Sequence, residues 1–129
     1  MGKRIITRVV LVLSLCFMLA GCSVTYNENN EYIQFVKKGT FNEYPNITCG
    51  EAFDAFFDNP KWGYFNSDTG EDVVEFTGKC LYDDVEVEVL MQFTIDEESG
   101  SFDVNYLSIN DISQNYFMLS AMLSAIFEQ

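Results

Sequence analysis

The sequence predicts an α+β domain, an antiparallel meander of about four or five strands with two helices packed on one face. Three stretches carry this expectation. From Val85 to Ile95, the residues Val85, Val87, Val89, Met91, Phe93 and Ile95 share one parity while Glu86, Glu88, Gln92 and Thr94 share the other, which is the period of a strand with one face buried and one in water. Thr48 followed by Glu51 opens a helical apolar pattern, and this pair can form a capping box in which each side chain accepts from the other's backbone N–H. From Asp111 onward the chain is a second helical run with very little charge. A sheet that is apolar on one face must be covered there, and these helices are the available cover.

In chain order, Glu31 to Lys38 reads as a first strand, with Ile33 and Phe35 alternating with Tyr32, Gln34 and Val36. Gly39 and the segment from Asn42 to Asn46 break it. The first helix then runs from the Thr48 cap to Phe57 or Asp58, with Cys49, Ala52, Phe53, Phe56 and Phe57 on one side and Glu51, Asp54 and Asp58 toward solvent. This Phe-rich stripe reads as core rather than as the lining of a ligand pocket. Asn59 and Pro60 end the helix, because the residue before a proline is pushed out of helical geometry.

Trp62 to Phe65 reads as a short strand and Asn66 to Asp72 as an acidic turn. Val73 to Tyr82 is the next strand, placing Val74, Phe76, Cys80 and Tyr82 opposite Glu75, Thr77 and Lys79. Asp83 and Asp84 make a two-residue hairpin turn into the Val85 strand, and Glu97 to Gly100 a second tight turn. In the last strand, Ser101 to Ile109, the apolar parity of Phe102, Val104 and Tyr106 flips at Leu107 and Ile109, which signals a bulge. Asp111, with Gln114 three residues on, is the expected N-cap of a helix reaching Ile126 or Phe127. The apolar face of that helix is broader than the stripe of about 100° that a single core contact fills. Phe117, Met118, Met122 and Phe127 are therefore a possible partner or dimer surface, the alternative being burial across the sheet. Cys49 and Cys80 both point inward and are a possible disulfide, whose loop of roughly 30 residues would add about 3–4 kcal/mol.

The N-terminus is organised differently. Lys3, Arg4 and Arg8 precede an apolar run from Val9 to Leu19 broken by Ser14, the pattern of a targeting segment that is not part of the fold. The run is shorter than the roughly 20 residues of a membrane-spanning helix. It closes on Leu19-Ala20-Gly21-Cys22, which resembles the lipobox of bacterial lipoproteins. That resemblance implies cleavage between Gly21 and Cys22 and a diacylglycerol on the Cys22 thiol, with a further fatty acid such as palmitate a normal companion, and a location on the outer side of the cell membrane. Residues 1–21 are then a lipoprotein signal peptide, 22–30 a lipidated polar tether and 31–129 a single domain.

Charge and composition exclude several function classes. Beyond Gly21 the chain has four lysines against twenty acidic residues, a net charge of −16. Such a surface repels nucleic acid and anionic headgroups, so no nucleic-acid partner is expected and the membrane contact falls to the lipid on Cys22. The chain has no histidine, so imidazole-activated nucleophiles and imidazole zinc sites are excluded. No phosphate-binding glycine loop or calcium loop of the required spacing occurs, and no cofactor or metal is expected. Asp68, Glu71 and Asp72 in one turn, and Asp96, Glu97 and Glu98 in another, read as solvated acids rather than a cation site.

The run VKKGTFNEYPNITCGEAFDAFFDNPKWGYF from Val36, followed by DVVEFTG ending at Gly78, resembles a group of small extracytoplasmic domains of Gram-positive bacteria, attached as lipoproteins or behind a membrane segment. It differs at Cys49, where that group has an apolar residue after the capping threonine. The resemblance implies location and architecture and carries no catalytic residue. The expected function is a non-enzymatic binding or accessory module for an envelope protein or extracellular ligand, with a carboxylate-dependent hydrolase or a self-associating structural lipoprotein as alternatives.

Overall fold

The computed structural model describes residues 23–129, so the signal segment, Gly21 and Cys22 lie outside the described residues. The fold is α+β. Helices α1 (Glu31–Lys38) and α2 (Cys49–Phe56) precede strands β1 (Asp58–Asn66), β2 (Asp72–Tyr82), β3 (Val85–Asp96), β4 (Ser101–Ile109) and β5 (Ile112–Ser113), and helix α3 (Tyr116–Phe127) follows. The five strands pair antiparallel in chain order. Among the described residues no helix is long and apolar enough to cross a membrane.

The turns explain the meander. Asp83 and Asp84 sit at φ 52° and 66° between the paired Tyr82 and Val85, the left-handed pair that a two-residue hairpin needs to match strand twist. Asn110 and Asp111 repeat the device at φ 51° and 68°, joining Ile109 to Ile112. Asp111 is therefore a turn residue and not the expected helix cap. The cap is Asn115, whose side chain accepts from the Met118 N–H at 2.8 Å, so α3 starts at Tyr116. The flip in β4 is a bulge at Asn105, since Gln92 faces Tyr106 while Phe93 faces Val104. Asn59 and Pro60 do not end helix α2, which stops at Phe56 with Phe57 as its cap. They form an irregularity inside β1 between the pairs Asp58–Lys79 and Lys61–Thr77, with Asn59 at φ 53°, which lets an edge strand carry a residue without an N–H.

Residues 31–38 are a helix and not the expected strand. Asn30 caps it, its side chain accepting from the Tyr32 and Ile33 N–H groups at 2.8 and 3.1 Å. Glu31 lies in the first turn and Lys37 and Lys38 in the last, each sign placed where the helix dipole favours it. The two residues that bury are Ile33 and Val36, three apart, while Phe35 is exposed. The apparent alternation was a helical pair read at the wrong period. In α2 the capping box forms as expected, with the Glu51 N–H donating to Thr48 Oγ1 and the Thr48 N–H to Glu51 Oε1, both at 3.1 Å.

The core lies between the helices and one sheet face, and Phe53 of α2 is its hub. Its ring lies 5.0–6.0 Å from those of Phe57, Trp62, Phe76, Phe93 and Phe127. Gly78 permits this approach, because a Cβ there would lie 2.8 Å from both the Phe57 Cβ and the Phe76 ring. The opposite sheet face carries Glu75, Thr77, Gln92 and Thr94, none of them buried.

The segment expected to be a free tether is attached to the sheet from Thr25. Thr25 and Tyr64 exchange two backbone hydrogen bonds of 2.8 Å, adding a one-residue bridge to the outer edge of β1. Val24 and Tyr26 flank Gly63, whose missing side chain would otherwise meet them within 3 Å. Lys61 Nζ stands 4.2 Å from the centre of the Tyr26 ring, and Lys37 bonds Glu28 at 3.0 Å.

Candidate functional site

The long strands outrun their helical cover, and that mismatch creates the most prominent surface feature. β2 and β3 have 11 and 12 residues, some 35–40 Å at about 3.3 Å per residue, whereas α2 has 8, about 12 Å at 1.5 Å per residue. The β2–β3 hairpin therefore projects, and Tyr82 and Val85, which the alternation assigns to the buried face, stand exposed with Leu81 beside them. The first turn of α3 and the β4–β5 turn frame the same end of the sheet. Tyr116 and Phe117 are 79% and 78% exposed, and Ile112 is exposed next to them in chain order.

Clefts lie on both flanks of α3. One, of about 140 Å³, lies between α3 and the hairpin and is lined by Phe56, Cys80, Leu81, Tyr82, Met118 and Met122. The other, of about 290 Å³, lies against β4 and includes Val104, Tyr106, Tyr116 and Leu119 in its lining. α3 itself contains no charged residue. Of the four residues singled out from the sequence, Phe117 belongs to this surface and Met118 to its floor. Phe127 does not, and Met122 only floors the cleft, because each is only 8% exposed and packs into the core. The phase of α3 decides this: the Asn115 cap puts Leu119, Met122 and Ile126 against the sheet and leaves Phe117 on the outside.

The rim of the surface is acidic. Asp83 and Asp84 occupy the hairpin turn and Asp111 the neighbouring turn, while Glu86 pairs with Leu81 on the sheet face away from the helices. Lys79 is the single basic residue between positions 79 and 129.

The cysteines do not bond. Among the described residues Cys49 and Cys80 are both free thiols. Cys49 opens α2 whereas Cys80 lines a cleft with Phe56, at the other end of that helix, a helix length of about 10 Å that exceeds disulfide reach. Burial pushes the Cys49 thiol up to about 12. Burial, helped by the Asp58 charge, also raises Cys80. Neither is poised as a nucleophile.

The acidic turns meet at the opposite end of the sheet. Tyr64 donates to Asp72 at 2.5 Å and Tyr32 to Glu97 at 2.8 Å, while the two tyrosine rings stack at 4.7 Å. Desolvation pushes the Asp72 carboxyl up, but hydrogen bonds involving Tyr64, Glu97 and Asn66 outweigh it and hold the group below its ordinary value. Among the described residues no three potential metal-ligating side chains converge.

No family model, curated protein or solved structure matches this chain. The surface chemistry is therefore the basis for function. Strand periodicity assigns Tyr82 and Val85 to the core, and no periodic pattern singles out Ile112 or Tyr116. Asp-Asp and Asn-Asp turns beside large apolar residues were the available signal, since a hairpin tip has little to pack against.

Proposed function

We propose that this chain is a membrane-anchored extracytoplasmic lipoprotein whose domain is a non-enzymatic binding module of the cell envelope. The observation that carries this reading is the set of large apolar side chains left exposed on the helix-bearing side of the molecule, the shelf: Tyr82 and Val85 on the hairpin, Ile112 on β5, and Tyr116 and Phe117 at the start of α3. Soluble domains seldom expose large apolar side chains together unless a partner covers them. The lipobox resemblance supplies the anchor, and two acyl chains hold a protein to a bilayer where one does not.

The two ends of the molecule suit such a role. Only Ser23 and Val24 separate Cys22 from Thr25, which is fixed to Tyr64. A lipid on Cys22 would thus hold the Asn66 end of β1 close to the membrane. Tyr64 is aligned with Val74, and the shelf residue Tyr82 lies eight positions farther along β2, about 27 Å away at 3.4 Å per residue. The shelf faces away from the anchor.

Two measurements test this. Feeding cells a labelled fatty acid should label the wild-type chain and not the Cys22→Ser variant; label retained by the variant would refute the anchor. A photo-crosslinking residue at Phe117 should capture a defined envelope partner in cells that the same residue at Thr94, on the opposite sheet face, does not. Equal capture at both positions would remove the shelf as the binding surface.

A further inference from the structure

We infer that the outer edge of β4 takes up an extended segment of another polypeptide as an added antiparallel strand, whose apolar side chains enter clefts on the helix side of that edge. This rests on the binding-module reading and names the kind of partner; it depends on neither the lipid nor Phe117. Strand pairing leaves the edge open, because β5 covers only Ser108 and Ile109. Leu107, opposite Met91, turns its carbonyl away from β3 to accept from the Gln114 N–H at 2.8 Å. Backbone direction alternates along an antiparallel strand, so Phe93 and Ile95 face the same way as Met91. Their partners Val104 and Phe102 therefore direct N–H and C=O outward as Leu107 does, and these groups have no main-chain partner among the described residues. Of the features that block edge pairing, β4 has a single charge, Asp103, and a bulge at Asn105 that lies past these two residues.

The clefts are joined by the strand itself. One, of about 490 Å³, is lined by Gly100 to Asp103 together with Phe35 and Phe41, and the cleft of about 290 Å³ continues along Val104 to Leu107 with Tyr116 and Leu119. On the opposite face the same edge is polar, with Asp103 beside Thr94 and the Asn105 amide donating to the Thr94 hydroxyl. A segment that alternates apolar and polar residues matches both faces, while the free main-chain groups select an extended backbone over a helix or a lipid. A second copy offering its own β4 would not fill the clefts, because its helix-side Phe102 ring is held 5.6–5.9 Å from those of Phe35, Phe41 and Phe93.

The test uses the full chain in phosphatidylcholine nanodiscs and a fluorescent peptide of about eight residues alternating leucine and threonine, enough to line Gly100 to Leu107, with empty discs as background. The peptide should bind above background and slow amide exchange at Phe102 and Val104 about tenfold, leaving the Tyr64 amide at the other edge unchanged. In antiparallel pairing its leucine amides face β4, so methylating those nitrogens should weaken binding about tenfold, and methylating the threonine amides should not. Val104→Pro removes one outward N–H at an edge position that accepts proline and should weaken binding about fivefold; its melting temperature checks the fold, and the methylated peptides test the same contact on the unaltered chain.

No binding above background would overturn the proposal, as would binding that leaves the Phe102 and Val104 amides unprotected, or a loss that follows the threonine amides or both sets equally. A dimer in sedimentation, with those two amides protected before peptide is added, would assign the edge to a second copy instead. If the peptide fails while crosslinking from Phe117 in cells captures a partner, the edge proposal falls and the binding-module reading stands. If both fail, the binding-module reading falls with it.

Discussion

Thr25 and Tyr64 exchange paired backbone hydrogen bonds of 2.8 Å each, which makes the start of the domain a one-residue addition to the edge of the sheet. The pairing has two effects. It covers part of the outer edge of β1, a row of backbone groups that would otherwise invite pairing with another chain. It also fixes the direction in which the chain leaves the domain toward Cys22, so an anchor there would orient the sheet rather than let it tumble.

Thr25→Pro removes the donor of one of these bonds. The expected outcome is faster hydrogen exchange at the Tyr64 amide, which now loses its stable acceptor geometry, with a stability loss of about 1 kcal/mol. Exchange at Val89, inside the central strand, should not change. Unaltered protection of Tyr64 would mean that the segment is not held by this bridge.

Phe53 and Phe117 make a contrasting pair of substitutions. Phe53 is fully buried among five other rings, so Phe53→Ala should cost about 3–5 kcal/mol. That is a large part of the 5–15 kcal/mol or so that a domain of this kind has. Phe117→Ser, at an exposed position, should stay within about 0.5 kcal/mol. Urea unfolding of both variants checks this, and a loss at Phe117 comparable to that at Phe53 would show that the shelf is part of the core.

Most of the sheet was legible because hairpins announce themselves locally. The alternation on both sides of Asp83-Asp84 gives strand, register and buried face together, and the parity flip at Leu107 gives the bulge. The α1 segment was misread because Ile33 and Val36 are few enough to fit either period, and only the Asn30 cap and the charge order decide for a helix. β5 was missed because Asp111 and Gln114 imitate a capping box, whereas the adjacent Asn110 and Asp111 are equally good at left-handed turn geometry. The functional surface was half legible. A helix with no charge announces that some of its surface is unusual, but uniform hydrophobicity hides its phase, so Phe117 could not be separated from Met122 and Phe127.

The thiols give a third prediction. Without reductant, Cys49 and Cys80 should both be free, and at mildly alkaline pH Cys49 should resist maleimide until the protein unfolds, because burial holds its thiol near 12. Cys80, half-buried in the cleft beside α3, should react slowly in the folded protein. Mass spectrometry of the labelled chain separates the two sites. A single species lacking two protons and refusing label when unfolded would establish the disulfide instead.

Asp72 gives the pH dependence of the fold. Desolvation pushes its folded carboxyl up, but the hydrogen bonds it accepts from the Tyr64 hydroxyl and the Asn66 amide help to hold it below the ordinary value. A carboxyl whose folded value is depressed stabilises the protein above its unfolded value, near pH 3.9 for an ordinary Asp, and that contribution disappears as pH falls through the folded value. Asp72→Asn keeps a hydrogen-bond acceptor but cannot ionise, so it should be less stable than wild type at neutral pH and approach it in strong acid. The physical reason is the join that Asp72 makes: the Tyr64 hydroxyl and the Asn66 amide, both on β1, donate to it across the strand pair, and protonation turns one acceptor of that join into a donor. Denaturant midpoints of the two chains measured from neutral pH to about pH 2 check the convergence. A stability gap that stays constant across that range would show that the effect of the substitution is not the carboxylate's charge.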